Sequence, residues 1–124
     1  MSFESEQGNP KIQAWLDELV EPDHCWWCGR FLAWGHGRQI HHIEGKNWVP
    51  GNRRDHSCNL FVICPTCHNA TFHSVDVAAV LAVKFLHDPE HFDLDAWLRL
   101  RDPVLDSPKR VTLRGIVRYL VIKR

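Results

Sequence analysis

The chain has 124 residues, with 15 Lys and Arg against 15 Asp and Glu, so that its formal net charge is zero. Its length and its 44% hydrophobic and 24% charged residues indicate a globular chain of one domain over residues 1–124 and exclude a disordered chain. No uncharged apolar run approaches the ~18–20 residues that span a bilayer, so we expect neither a transmembrane helix nor a membrane partner.

The N-terminal part of the chain is acidic, since residues 1–23 carry six Asp and Glu and a single Lys. The first residues, MSFESEQG, are unlike a signal peptide, and an odd number of five Cys favours a reducing compartment, so we expect a cytoplasmic protein. Asn9 and Pro10 provide an N-cap and a first helical residue, and apolar residues then recur at helical spacing as far as Pro22. This pattern predicts a helix over residues 10–20.

Two Cys-x-x-Cys pairs, Cys25/Cys28 and Cys64/Cys67, are separated by 35 residues that show no long helical period. Two such knuckles can offer four thiolates to one tetrahedral zinc ion, with Zn–S distances of ~2.3 Å, and we predict a structural zinc site. A redox pair would sit in a βαβ pattern, which this sequence lacks, and buried cysteines without a ligand are the remaining alternative. The fifth cysteine, Cys58, is expected to be a small buried residue.

Seven of the nine histidines lie between residues 24 and 75, in and around the cysteine pairs. His41 and His42 are neighbours in a predicted strand, so their side chains point to opposite faces and suit different tasks. One imidazole can bind a metal while the other, with an ordinary pKa near ~6.5, can accept a proton. His68 and His73 could supply further ligands. Each histidine alone is more simply a solvated or hydrogen-bonded side chain, but the clustering of seven favours a metal site.

The segment after residue 74 has the apolar periodicity of helices. Ser74 is the predicted N-cap of a helix over residues 75–86 that is apolar on nearly every face. Asp93 or Asp95 begins a short helix. Residues 111–122 are rich in Val and Ile, which leaves a strand open, but their apolar spacing favours a third helix.

The order of these motifs, C-x-x-C-G, H-H-I-x-G, N-L and then C-x-x-C-H with a further His, resembles the HNH endonucleases, also called ββα-metal or His-Me finger nucleases. The resemblance covers residues 24–75. It implies an α+β fold in which a small ββα-metal finger is clipped by the four-cysteine zinc site. The N-terminal helix and two or three C-terminal helices, within residues 75–124, would flank this finger.

The resemblance also implies a role for each matching residue. His41 and His68 would bind one catalytic divalent metal (Mg²⁺, Mn²⁺, Ni²⁺ or Zn²⁺), with His73 as an extra ligand or phosphate contact. His42 matches the general base that activates water, and Asn59 matches the central Asn that fixes the loop and orients the base. The implied activity is hydrolysis of DNA phosphodiester bonds, by nicking or double-strand cleavage, leaving a 5′-phosphate and a 3′-hydroxyl.

Basic residues around and after the motif would contact DNA phosphates, because Lys and Arg supply most non-specific affinity for nucleic acid. The neutral total hides them, since residues 107–124 carry six Lys and Arg and no acidic residue. For Arg110, Arg114 and Arg118, which are spaced four residues apart, the alternative is a solvated face of a terminal helix. The candidates are Arg38, Lys46, Arg53, Arg54, Arg110, Arg114 and Arg118.

Two other functions stay open at this point. A zinc-ribbon module that binds nucleic acid without catalysis needs only the four cysteines, whereas the additional His41, His42 and His68 favour an enzyme. A structural role beside a protein partner, in a phage or restriction machine of a bacterial or phage-infected cell, is the third possibility.

Overall fold

The computed structural model describes residues 9–20, 22–32, 37–44, 54–70, 75–100 and 111–122. Within these residues it is an α+β fold with one two-stranded antiparallel sheet and five helices, which confirms the predicted class. The elements in chain order are α1 (Pro10–Glu18), β1 (Gln39–His42), β2 (Leu60–Ile63), α2 (Pro65–Ala70), α3 (Val77–His87), α4 (Leu94–Leu98) and α5 (Leu113–Ile122). Short 3-10 turns lie at Ser57–Asn59 and Pro89–His91.

Helix α1 begins as predicted, with Asn9 as its N-cap and Pro10 at the first position. The Asn9 Oδ1 atom accepts hydrogen bonds from the backbone N–H groups of Lys11 and Ile12, at 3.0 and 3.4 Å, which satisfies two of the donors left unpaired at a helix start. The helix ends at Glu18, two residues before the predicted boundary. Its buried face consists of Ile12, Trp15 and Leu16.

Strand β2 is the centre of the region between the cysteine pairs. It pairs with β1 in an antiparallel register in which Gln39 lies opposite Ile63 and His42 lies opposite Leu60. All four residues of β2 are buried. The backbone N–H of Trp26 donates to the carbonyl of Val62 at 3.1 Å, so the first cysteine knuckle is attached to β2 as well.

Helix α3 begins later than predicted. Asp76 is its N-cap and accepts a hydrogen bond from the backbone N–H of Ala78 at 2.9 Å, so the helix starts at residue 77 and not directly after Ser74. Ser74 itself lies outside the described residues. The sequence predicts a helix that is apolar on nearly every face, and residues 78–84, six apolar residues and Lys84, are all buried.

The two remaining helices also follow the sequence pattern. Asp93 caps α4, where its side chain accepts from the N–H of Ala96 at 3.0 Å. The segment with the ambiguous Val and Ile content is helical, and α5 packs on α3 with Ile116 fully buried. Buried side chains from α1, both strands, the cysteine knuckles, α3, α4 and α5 form one hydrophobic cluster.

A charged pair lies inside this cluster. The Lys84 ammonium, which is fully buried, donates to Asp88 Oδ2 at 2.7 Å and to the carbonyl of Ser57 at 2.8 Å. Trp15 Nε1 donates to the same carboxylate oxygen at 2.8 Å. Burial lowers the pKa of Lys84 to about 8, against the effect of Asp88, so the ammonium is still mostly protonated at neutral pH. The pair ties α1 and the turn before β2 to α3.

The same carboxylate binds His91, which follows α3. Asp88 Oδ1 lies 2.6 Å from His91 Nδ1, and Glu18 Oε2 lies 2.7 Å from His91 Nε2. Burial disfavours the charged imidazolium, but the two carboxylates outweigh this effect and raise the pKa of His91.

Among the helices of the described residues, none is long and apolar enough to cross a membrane.

Candidate metal centre and histidine site

The four cysteines of the two Cys-x-x-Cys pairs come together, and their Sγ atoms all lie within 4.8 Å of one another. The Sγ atoms of Cys28 and Cys64 are 3.9 Å apart. Tetrahedral coordination with metal–sulfur bonds of ~2.3 Å places sulfur atoms about 3.8 Å apart, so this spacing fits four ligands of one ion. All five cysteines are free thiols. These four side chains could therefore hold a metal ion.

Local backbone structure shapes each pair. In the first, the N–H of Gly29 donates to the carbonyl of Cys25 at 2.8 Å, and Gly29 has a φ of +82°, a conformation that favours glycine. In the second, Cys64 follows β2 directly and Cys67 lies in the first turn of α2, with its N–H donating to the Cys64 sulfur at 3.5 Å. The cluster thus joins the first knuckle to the junction between β2 and α2.

The four thiols of the cluster differ in their electrostatics. The backbone N–H of Arg30 lowers the pKa of Cys28 to about 7, against the opposing effect of burial. Burial and the neighbouring thiols raise the pKa of Cys67 well above its usual range. Four thiolates at this spacing repel one another, and a cation is what allows them to ionise together. Cys58 lies apart from the four, is buried as expected, and has its pKa raised by burial to about 11.

The two adjacent histidines of β1 make different contacts. The His41 ring lies against the ring of His68 on α2, with centroids 5.3 Å apart and planes inclined by 66°. His42 Nε2 lies 2.8 Å from Asp55 Oδ1. The structure thus brings together two of the three predicted ligands of a catalytic metal, and separates His42 from them. The third, His73, lies outside the described residues.

Within the part of the chain that the structure describes, the cysteine cluster is the one group of three or more potential ligands that could hold an ion. At the contact between β1 and α2, His41 and His68 supply two imidazoles. The assignment of a catalytic metal to them stays a prediction.

Asn59 is fully buried and makes four hydrogen bonds through its side chain. Its Nδ2 donates to the carbonyls of Glu44 and Arg54, at 3.0 and 2.8 Å. Its Oδ1 accepts from the N–H of Glu44 at 2.7 Å and from Trp97 Nε1 at 3.0 Å. One side chain thereby fixes both ends of the segment between residues 44 and 54. The role of Asn59 in orienting a catalytic base stays a prediction.

Sequence reasoning missed two residues at this site. Asp55 is the partner of His42, and its second oxygen, Oδ2, accepts a hydrogen bond from Asn9 Nδ2 at 2.8 Å. The sequence held one signal for Asp55, which is one of only two acidic residues between positions 24 and 75. Asn9 was interpreted only as an N-cap, because its contact with Asp55 joins residues 46 positions apart.

The candidate DNA-binding residues are spread over several elements. Arg38 donates through Nη1 to the carbonyl of Pro22 at 3.0 Å, so part of its guanidinium has a structural partner. Arg54 is half-buried, whereas Arg114 and Arg118 are exposed on α5. Their role in binding DNA stays a prediction. The three candidates outside the described residues are Lys46, Arg53 and Arg110.

Comparisons with family models, with curated proteins and with solved structures found no significant match to this chain. Its function is therefore inferred from its own residues and their geometry.

Proposed function

We propose that this chain is a metal-dependent endonuclease of the HNH type that hydrolyses phosphodiester bonds in DNA. The observation that carries the proposal is the division of labour on β1, where His41 meets the imidazole of His68 while the adjacent His42 contacts a carboxylate instead. A nuclease with one metal and a side-chain base needs this separation, because the base must keep a nitrogen lone pair that no metal occupies. The order β1, β2, α2 supports a ββα finger.

The donor set of His41 and His68 suits a divalent cation. Both are imidazoles, which bind Zn²⁺, Ni²⁺ and similar ions, and their rings, one on a strand and one on a helix, have centroids 5.3 Å apart. Such a cation, when bound, supplies Lewis-acid stabilisation of the negative charge that develops at the reacting phosphate.

His42 would act as the general base. Its side chain is 18% exposed, which leaves part of the ring accessible to water, and it takes the proton from the water that attacks phosphorus. The leaving group is the 3′-oxygen, so the products carry a 5′-phosphate and a 3′-hydroxyl. Asn59 would act indirectly by fixing the segment that ends next to Asp55.

The four-cysteine cluster would hold a structural Zn²⁺. Tetrathiolate sites of this spacing are typical of zinc, and a closed set of four ligands leaves no position for a substrate. The ion would hold α2, and with it His68, against the sheet.

Contacts to DNA would be made mainly to phosphates. Arg114 and Arg118 are exposed and four residues apart on α5, so their guanidinium groups can lie along one side of the helix. Arginine side chains neutralise phosphates without reading sequence, and the resulting affinity falls as salt rises.

Plasmid cleavage tests the proposal. Purified protein is incubated with supercoiled DNA and Mg²⁺, Mn²⁺, Ni²⁺ or Zn²⁺, and wild type is compared with His42→Ala and with the control His24→Ala, whose histidine ring packs against Phe31. We expect cleavage by wild type and by the control, and its loss in His42→Ala. A folded protein that shifts DNA in a gel, but does not cleave it with any of these metals, would instead be a zinc-ribbon binding module.

A further inference from the structure

We infer that Asp55 is a positioning residue for His42, that Asn9 fixes Asp55 in turn, and that Nδ1 of His42 is consequently the nitrogen that accepts the proton. The inference rests on the proposed function, which it deepens by naming the atom and the two residues that prepare it. It joins the start of helix α1 to the candidate catalytic strand through two hydrogen bonds of 2.8 Å each.

The contact between His42 and Asp55 decides the tautomer. An ionised carboxylate can only accept hydrogen bonds, so the His42 Nε2 atom, 2.8 Å from Asp55 Oδ1, must carry the hydrogen. A neutral imidazole has one N–H and one lone pair, and the lone pair is then on Nδ1. The side chains of His42 and Asp55 are 18% and 10% exposed, so bulk water competes little for this hydrogen bond.

The orientation of the Asn9 side-chain amide determines the hydrogen-bond partner of the second carboxylate oxygen of Asp55. The Oδ1 atom of Asn9 is committed to capping α1, where it accepts from two backbone N–H groups. Its amide NH₂ therefore points the other way, and donates to Asp55 Oδ2 at 2.8 Å. Asp55 is thus held between two donors, one from α1 and one from β1, an arrangement that only a carboxylate satisfies.

The backbone around Asp55 is fixed as well. The carbonyl of Arg54 accepts from Asn59 Nδ2 at 2.8 Å, and the carbonyl of His56 accepts from the N–H of Asn59 at 2.8 Å. Both neighbours of Asp55 are thereby tied to one buried residue. Asn59 therefore acts on His42 through this segment.

The substitution Asp55→Asn tests the tautomer. The new amide at position 55 must place its NH₂ against the NH₂ of Asn9 or against Nε2 of His42. In the second case His42 moves its hydrogen to Nδ1 and loses the lone pair that accepts the proton. We expect kcat to fall by about 10²-fold or more with KM little changed, which is the usual size of a lost general-base contribution.

A second substitution should restore activity. In the double variant Asn9→Asp with Asp55→Asn, the new carboxylate at position 9 still caps α1, because Asp is as good an N-cap as Asn. It accepts from the new amide, whose oxygen then accepts from Nε2–H of His42. We expect kcat to recover at least tenfold over Asp55→Asn, whereas Asn9→Asp alone opposes two carboxylates and gains nothing. Failure of the double variant to recover, although folded, would overturn the relay.

The ¹⁵N NMR spectrum of the histidine rings separates this inference from the proposed function. At a pH where His42 is neutral, we expect the Nε2–H tautomer in wild type and in the double variant, and a shift toward Nδ1–H in Asp55→Asn. An Nδ1–H tautomer in wild type would overturn the inference without any variant or activity. A wild-type protein that shows Nε2–H but cleaves no DNA would overturn the proposed function and leave the positioning of His42 standing.

Discussion

His41 of β1 and His68 of α2 lie with their ring centroids 5.3 Å apart and their planes inclined by 66°. The two histidines belong to different elements, and their meeting depends on where α2 leaves the sheet. Because α2 begins directly after Cys64 and contains Cys67, the cysteine cluster sets the position of the helix that carries His68. The cysteine cluster and the histidine pair are therefore structurally linked.

Removal of one cysteine ligand should release the structural metal. We expect metal analysis of the purified protein to give about one Zn²⁺ per chain in wild type, and its loss in Cys25→Ser or Cys64→Ser, with loss of folded structure by circular dichroism. Cys58→Ser is the matched control, because Cys58 is also buried but lies outside the cluster. Retention of zinc in Cys64→Ser, or a folded wild-type protein without metal, would contradict the assignment.

Binding of a second metal should depend on the histidine pair. Titration of the zinc-loaded protein with Mn²⁺ or Ni²⁺, followed by calorimetry, should show one further site that His41→Ala and His68→Ala each weaken at least about tenfold. Loss of a direct ligand should lower the metal affinity at least as much as loss of a hydrogen-bond partner of a ligand, which lowers it about 10–100-fold. His24→Ala should bind as wild type does. Equal affinity in His41→Ala would exclude this residue as a ligand.

Asn59 should be a major source of stability. Asn59→Ala takes a hydrogen bond from four groups, among them Trp97 Nε1 and the carbonyl of Arg54. Each such group costs about 1–3 kcal/mol, so we expect the free energy of unfolding to fall by at least about 3 kcal/mol in urea denaturation. Asn69→Ala, an exposed position on α2, should change it by less than about 0.5 kcal/mol. Similar effects of the two substitutions would refute the anchoring role.

Stability should depend on pH through His91. Its pKa is raised in the folded protein, so the folded state binds the proton more tightly than the unfolded state does. This contribution is fully present below the ordinary histidine pKa of about 6.5 and is lost as the pH rises through the raised value. The groups that face His91 are Asp88 and Lys84 of the α3 region and Glu18 of α1.

The measurement is the difference in unfolding free energy between wild type and His91→Gln at several pH values from 6 to 9. We expect wild type to be the more stable at pH 6 and the difference to shrink toward pH 9. Taking the difference cancels the titration of groups common to both proteins. A difference that is independent of pH, or that grows as the pH rises, would contradict the sign derived from the contacts of His91.

Local signals in the sequence were sufficient for several elements. The Asn9–Pro10 pair predicts the start of α1 because a helix cap depends on neighbours in the chain, and the matching spacing of the two Cys-x-x-Cys pairs predicts that they share one site. The predicted start of α3 was wrong because Ser and Asp are both good N-cap residues, and both occur here, at positions 74 and 76. Asp76 also accepts a hydrogen bond from the hydroxyl of Tyr119 on α5, at 3.0 Å, which no local pattern reveals.

Long-range contacts account for what was missed at the site. Asp55 lies 13 positions from His42 and 46 positions from Asn9 in the sequence. Contacts at such separations produce no periodic pattern of residues. Lys84 is a similar case, since its full burial depends on Asp88 and on the carbonyl of Ser57, 27 positions away. The pairing of these side chains required the fold.

Cleavage of supercoiled plasmid by wild type and His42→Ala, at equal zinc content and with each divalent metal in turn, is the most direct test of the proposed nuclease. We expect wild type to produce nicked or linear DNA ending in a 5′-phosphate, and His42→Ala to be slower by about 10²-fold or more. Equal rates for the two proteins, or no cleavage by folded wild type with any of the metals, would contradict it.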